Sequence, residues 1–244
     1  SDELEGRFPA GKANLSTSCL YYDALISASC LAKKNKEKPS LSKQYLAEAA
    51  AIKKAINTYF SSKISGFDTY IYYDGNTLLR SWICMPLTVG IFDKSVGTID
   101  ALLSEKLFTQ NGLLTQEGSE TFWDRSTLYA LRGILYAGKR QEGISYLQFY
   151  SAKRLLGDHV PYAIEAWPEG SQRHLSAESG LYARVITEGL FGIRPTGFHS
   201  FSLKPQLPSE WDYMSLKNIA AFGGHIILDI VRKSKDDIQV SIAT

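Results

Sequence analysis

Apolar residues recur at helical spacing over most of the first 195 positions and at alternating spacing thereafter. Seven segments carry the helical period: residues 14–34, 41–60, 77–92, 98–107, 124–137, 140–155 and 174–191. In the first, Leu20, Ala24, Ala28, Leu31 and Ala32 supply the apolar positions, and Asn14 or Ser16 offers a side-chain oxygen to the free N–H groups at its start. The second is rich in alanine from Ala47 to Ala55, which favours helix. Beyond Pro195 the period falls to two. Residues 200–204, 216–222, 225–232 and 238–243 read as strands, parted by Pro/Ser, Gly223-Gly224 and KSKDD turns. In HIILDIVRK the alternation is weak at first, which predicts burial on both faces at that end. The expected division is a helical part over 1–195 and an antiparallel β-part over 196–244.

The connections between helices alternate in length. Short ones lie near residues 35–40, 93–97 and 138–139, and long ones over 61–76, 108–123 and 156–173. Antiparallel hairpins with short turns at one end and long loops at the other predict a layered α/α array. The long-loop end is then where function is expected, because a rigid scaffold holds loops for that purpose. The polar aromatics agree, since these loops carry FDTYIYYDG, TQEGSETFWD and HVPYAIEAWPEGSQRH. Each long loop runs into the N-terminus of the next helix, so the first, third, fifth and seventh helices point positive dipole ends at one surface.

Composition narrows the classes. A formal net charge of +2 on 244 residues, with 44% hydrophobic and 21% charged content, is ordinary for a globular protein and offers no basic groove for nucleic acid. The cluster Lys33, Lys34, Lys36, Lys38 reads as a solvated helix end. No apolar run reaches the roughly 20 residues a membrane span needs. The opening SDELEGRFPAGK is not a basic-then-apolar leader; a leader upstream would send the protein to the periplasm or medium, and otherwise it is cytoplasmic. Three cysteines make no disulfide framework. Cys19 and Cys30 lie about 16 Å apart along one helix, so all three, Cys84 included, read as small buried hydrophobes.

Candidate chemistry gathers between Asp158 and Pro195, where Asp158, Glu165, Glu169 and Glu178 stand among Trp, Tyr and His. Glu165 is flanked by Tyr162 and Trp167, whose bulk would desolvate it and raise its pKa toward general acid or base work. A surface Glu in a long loop is the plain alternative. Glu169, beside Pro168 and Gly170, is a weaker candidate of the same kind. In ETFWDRS, Asp124 stands at a helix start as an N-cap or a site residue, Trp123 is a sugar platform or core, and Arg125 can pair with a carboxylate or hold a hydroxyl. DTYIYYDG, with Tyr73, fits a short hairpin lining a cleft and equally a surface hairpin. The four histidines form no HxxxH or HExxH pattern and no CxxC exists, so no metal and no cofactor are expected. There is also no GxSxG elbow for a serine nucleophile and no phosphate loop.

Taken together, Glu165-Ala166-Trp167, the helix after it, the exit Gly192-Ile193-Arg194-Pro195, the stretch FSLKPQLPSEW and FWDRSTLYALRGILYAG resemble the six-hairpin glycosidases, α-L-rhamnosidase-like and glucosidase-like members above all. The resemblance implies a mainly α fold: a partial (α/α)6-barrel, or α/α toroid, of about three and a half hairpins, followed by a small C-terminal antiparallel β-domain. It also implies an exo-acting glycoside hydrolase in which Glu165 is the general base. Trp123, Trp167, Tyr162 and Tyr73 would line the sugar, and Asp124, Arg125 and His174 would bind hydroxyls. In this family the general acid usually lies on the N-terminal helices, so the expected partner, besides a glycoside or oligosaccharide, is a missing N-terminal part of the same protein. Within the chain Asp124, Glu120 and Glu117 are the candidate acids. The acid–base spacing that separates inverting (about 6.5–9.5 Å) from retaining (about 5–5.5 Å) enzymes would then span two parts. Related readings are a phosphorylase, with Arg173 and His174 holding phosphate at a helix N-terminus, a polysaccharide lyase, or a non-catalytic carbohydrate-binding protein.

Overall fold

A computed structural model describes residues 11–34, 40–156, 162–167, 176–197, 199–221, 223–235 and 237–243, with Trp167 and Ser176 described in their backbone alone. Helices α1 (Leu15–Lys34) and α2 (Ser40–Tyr59) form the first antiparallel pair. Asn14 caps α1, its Oδ1 accepting the Thr17 N–H at 2.9 Å. The two helices are pinned by Ser29 Oγ and Ser42 Oγ, 3.0 Å apart. The apolar stripe seen in the sequence is not the buried face of α1. Leu15, Cys19, Leu25 and Ser29 are buried, whereas Leu20 and Leu31 are half exposed and face open space.

Strands β1 (Ser61–Ile64) and β2 (Phe67–Tyr70) make a hairpin whose two turn residues, Ser65 and Gly66, have φ of 50° and 95°. Two left-handed residues in a two-residue loop match the twist of the strands they join. The expected hairpin in DTYIYYDG therefore lies a few residues upstream. The third helix also departs from expectation. Instead of one helix over 77–92, a 3-10 turn (Ser81–Cys84) passes into the short α3 (Met85–Thr88). Pro86 occupies the first turn of α3 because it has no N–H to give, and Gly90 at φ 84° ends the run. All eight residues from Ser81 to Thr88 are buried, and such a run shows no period that distinguishes a helix from other buried chain.

Helix α4 (Ser95–Leu102) leads to the short strands β3 (Phe108–Thr109), β4 (Gly112–Leu113) and β5 (Phe122–Trp123). Gly97 lets α4 approach β2, since a Cβ there would stand 2.1 Å from the Asp68 carbonyl oxygen. Helix α5 (Asp124–Tyr136) is buried almost all round, and α3, α6 (Arg140–Tyr150) and α7 (Ser176–Arg184) pack on it. The last turn of α6 widens to π geometry over Ser151–Leu155, and that of α7 over Val185–Leu190. Between them, β6 (Ala166–Trp167) pairs with β5.

Strand β7 (Ile193–Gly197) begins ahead of the expected division at 195/196 and pairs with β8 (Ser200–Leu203). Strands β9 (Tyr213–Ala221), β10 (Gly224–Arg232) and β11 (Ile238–Ala243) form an antiparallel sheet with β10 central. Burial on both faces at the start of β10 is not observed. Gly224 and His225 are exposed, and Ile226, Leu228 and Ile230 alternate into the core. The strands are joined to the helices through Gly192 (φ 67°), which accepts the Lys204 N–H, and through the Gln206 N–H bonded to the Leu190 carbonyl at 2.8 Å. A Cβ at Gly192 would lie 2.0 Å from the Lys204 oxygen, so this junction admits no side chain.

Candidate functional site

The described parts of the three long connections meet at the N-terminal ends of α1, the 3-10 turn, α5 and α7. The Leu15 N–H reaches the Tyr72 carbonyl, the Ser81 N–H reaches Thr115, and the Glu117 N–H reaches Leu79. Trp82 at the start of the 3-10 turn meets Trp123 at the start of α5 edge-on, with ring centroids 6.3 Å apart. Antiparallel pairing of β5 with β6 sets Trp123 opposite Ala166 and Phe122 opposite Trp167. Asp124 completes the join, its Oδ2 accepting the Ile164 N–H at 2.9 Å. The segment that carries Glu165 is thus tied to the head of α5 from both sides.

Two carboxylate–guanidinium pairs stiffen this end. Asp124, 1% exposed, faces the Arg154 Nε at 3.2 Å. Glu178, 0% exposed in the first turn of α7, accepts the Arg125 Nε at 2.5 Å. Both carboxylates sit at helix N-termini, where the backbone dipole favours negative charge. Burial, and next the Asp124 carboxylate, hold the Tyr150 phenol well above its ordinary range. Burial likewise raises Tyr146, Cys84 and Cys19, so the two cysteines are thiols rather than nucleophiles. Cys30, expected to be buried, is only half so.

Between the inner faces of α1, α3, α5 and α7 lies an open lumen. Its upper half, at the N-terminal ends, is a cavity of about 700 Å³ lined in part by Leu20, Trp82, Arg125, Tyr129, Leu181 and Arg184. Aromatic faces beside guanidinium donors suit a sugar, which stacks its apolar face and bonds through its hydroxyls.

The site residues expected from sequence divide as follows. Glu165 is half-buried, and Tyr162 three residues before it is half-buried too. Arg125 lines the cavity. Trp123 is 3% exposed and meets Trp82, itself 4% exposed; both are core, and of the two Trp82 borders the cavity. Asp124 is the first residue of α5 and not its N-cap, and its side chain holds Ile164 and Arg154 instead. Tyr73 is half-buried beneath the Arg80 guanidinium, 5.4 Å from its ring centroid. Glu169, His174 and the side chain of Trp167 lie outside the described residues, as does Arg173. Glu117, a candidate acid, is held below the usual carboxylate range by hydrogen bonds from Lys106 and Ser65, which leaves it no proton to give near neutral pH. Glu120 is exposed. The sequence marks Glu178 merely as an acid in a helix's first turn and carries no sign of its pairing with Arg125, or of the Arg154 pairing with Asp124. Among the described residues, no group of three His, Cys, Asp or Glu could hold a metal ion, and no helix is long and apolar enough to cross a membrane.

No family model matches the sequence, and no curated protein matches it. Solved structures do. A protein named "Sialidase" superposes with a TM-score of 0.69 over 94% of this chain, at 15% identity. Neutral trehalase Nth1 from Saccharomyces cerevisiae superposes with a TM-score of 0.54 over 72% of it, at 14% identity. The chain shares its fold with both, helical hairpins of an α/α toroid followed by a small antiparallel sheet. It spans 25% of the length of the first neighbour and 38% of the second, so it corresponds to part of each. The alternating hairpins and the antiparallel strands at the C-terminal end are those the sequence patterns predict. The lumen lined by α1, α3, α5 and α7 is the inner wall of the toroid.

Proposed function

We propose that the chain is the base-bearing, C-terminal portion of an exo-acting glycoside hydrolase, with Glu165 activating water. The observation that carries this reading is the double tether of the Glu165 segment, through β5–β6 pairing and the Asp124–Ile164 bond, to the residue next to cavity-lining Arg125. A general base must be held still beside the substrate, and that tether supplies the stiffness. Both structural neighbours carry names of glycoside-cleaving enzymes, which supports the same reading. Arg125, oriented by Glu178, would hold a hydroxyl, and the half-buried Tyr129 would face the ring. The half-exposed Leu20 and Leu31 on the lumen side of α1 support a further helical part of the same protein as the partner that closes the toroid and brings the general acid.

The test is Glu165→Gln in the intact protein, assayed on nitrophenyl glycosides with sugar binding measured in parallel. Turnover should fall by about 10²- to 10⁴-fold while binding persists. Near-normal turnover removes Glu165 from the mechanism. A second reading, a non-catalytic carbohydrate-binding toroid, draws support from the two buried acids of this end, Asp124 and Glu178, both being engaged by arginines. Sugar binding by the intact protein, with no cleavage of any glycoside offered, would favour it.

A further inference from the structure

The lower half of the lumen, at the C-terminal ends of the inner helices, is a second cavity of about 530 Å³. Its charge is unlike that of the upper half. Glu188 receives three arginines at once: Arg132 Nη1 at 3.0 Å, Arg184 Nε and Nη2 at 2.5 and 3.1 Å, and Arg194 Nη1 at 3.2 Å. Arg184, Glu188 and Arg194 line the cavity together with Lys34, Asp23 and Tyr136. Counting Arg132 behind them, four cations face two carboxylates. Arg132 is 4% exposed, and burial, together with Arg184 and Arg194 working against Glu188, draws its basicity down. Tyr136 beneath Arg194 (3.8 Å from its carbon to the ring centroid) and Tyr129 near Arg132 (5.3 Å) offset part of this excess. Neither ring carries a formal charge. The Arg184 side chain is 47% exposed and uses Nε and Nη2 on Glu188.

We propose that the lower lumen is a binding site for a small carboxylate, held by Arg184 and Arg194. A guanidinium fork fits the two oxygens of a carboxylate, as the Arg184–Glu188 pair already displays within the cluster. A third carboxylate would cut the excess of positive charge from two to one, in a partly enclosed space where Coulomb interactions are stronger than in water. Asp23 on the wall opposes the ligand but is exposed and screened, whereas the arginines are set against the helices. The site lies below the upper cavity and shares Arg184 with its wall, but it does not use Glu165 and does not depend on the glycosidase reading.

Isothermal titration of the full chain with malonate, at ionic strength fixed with chloride, tests the proposal. Saturable one-site binding is expected. Arg184→Gln and Arg194→Gln should each weaken it by about tenfold or more, and Lys43→Gln, on the exposed part of α2, should leave it unchanged. Where Arg194→Gln fails to fold, the half-exposed Arg184→Gln decides alone. No saturable binding, or binding that both arginine variants retain, overturns the proposal. Inorganic phosphate is titrated in parallel, and binding of phosphate without binding of malonate overturns the assignment to carboxylates.

Discussion

The two halves of the lumen solve the same problem of buried arginine in opposite ways. At the upper end, among the described residues, the buried carboxylates face different guanidinium groups: Asp124 faces Arg154, and Glu178 faces Arg125. At the lower end one carboxylate, Glu188, serves three. The helices explain the sorting. The inner helices run the same way, so acids collect at their N-terminal ends, as Asp124 and Glu178 do, and bases at their C-terminal ends, as Lys33, Lys34 and Arg184 do. Paired charges stiffen the upper end, whereas three guanidinium groups share Glu188 at the lower end. Stiffness with neutral pairs suits a site that must aim a catalytic group, and excess charge suits one that must attract an ion.

The contrast breaks most visibly at Glu188. Glu188→Gln leaves three guanidinium groups around a neutral amide and should cost about 3–5 kcal/mol in urea denaturation. Asp124→Asn keeps an acceptor for the Ile164 N–H and removes the charge from a single arginine, so a smaller loss of about 1.5–3 kcal/mol is expected. If Asp124→Asn proves the more damaging of the two, unequal charge balance is not what separates the ends. The smallest effect lies outside the lumen and calibrates it. The Glu117 pKa is depressed by Lys106, so its stabilising contribution is present above its ordinary value of 4.5 and fades as pH falls through the depressed one. Lys106→Ala should therefore lower stability at pH 7 by about 0.2–1 kcal/mol, because the pair is partly exposed, and the gap to wild type should close as the pH drops below about 4.5. A gap that persists at pH 2 would mean that Lys106 acts through contact rather than charge.

Helices with a clear apolar period are legible from the chain, α5 within a residue and α6 when its π turn is counted, as is β11 at both ends. The helix expected over 77–92 was not, because a run buried all round carries no period and the backbone effects of Pro86 and Gly90 decide it. At the site, Glu165 and Arg125 were picked out by their neighbours in sequence. The tether between them was not, since Asp124 and Ile164 lie 40 positions apart, and neither was the Arg125–Glu178 pair, 53 apart. For Trp123 the sequence leaves platform and core both open, because its companion Trp82 comes from another loop and that contact is not written along the chain.

By itself, the order of apolar and polar residues determined the architecture, because helical and strand periods and the alternation of loop lengths are local properties that the chain states directly. Only the tertiary structure decided which charges meet. Arg132, Arg184, Glu188 and Arg194 share a site because α5, the π turn after α7, and β7 converge at one end of the lumen. Net charge and spacing along the chain do not contain that convergence, and electrostatic energy depends on distance in space.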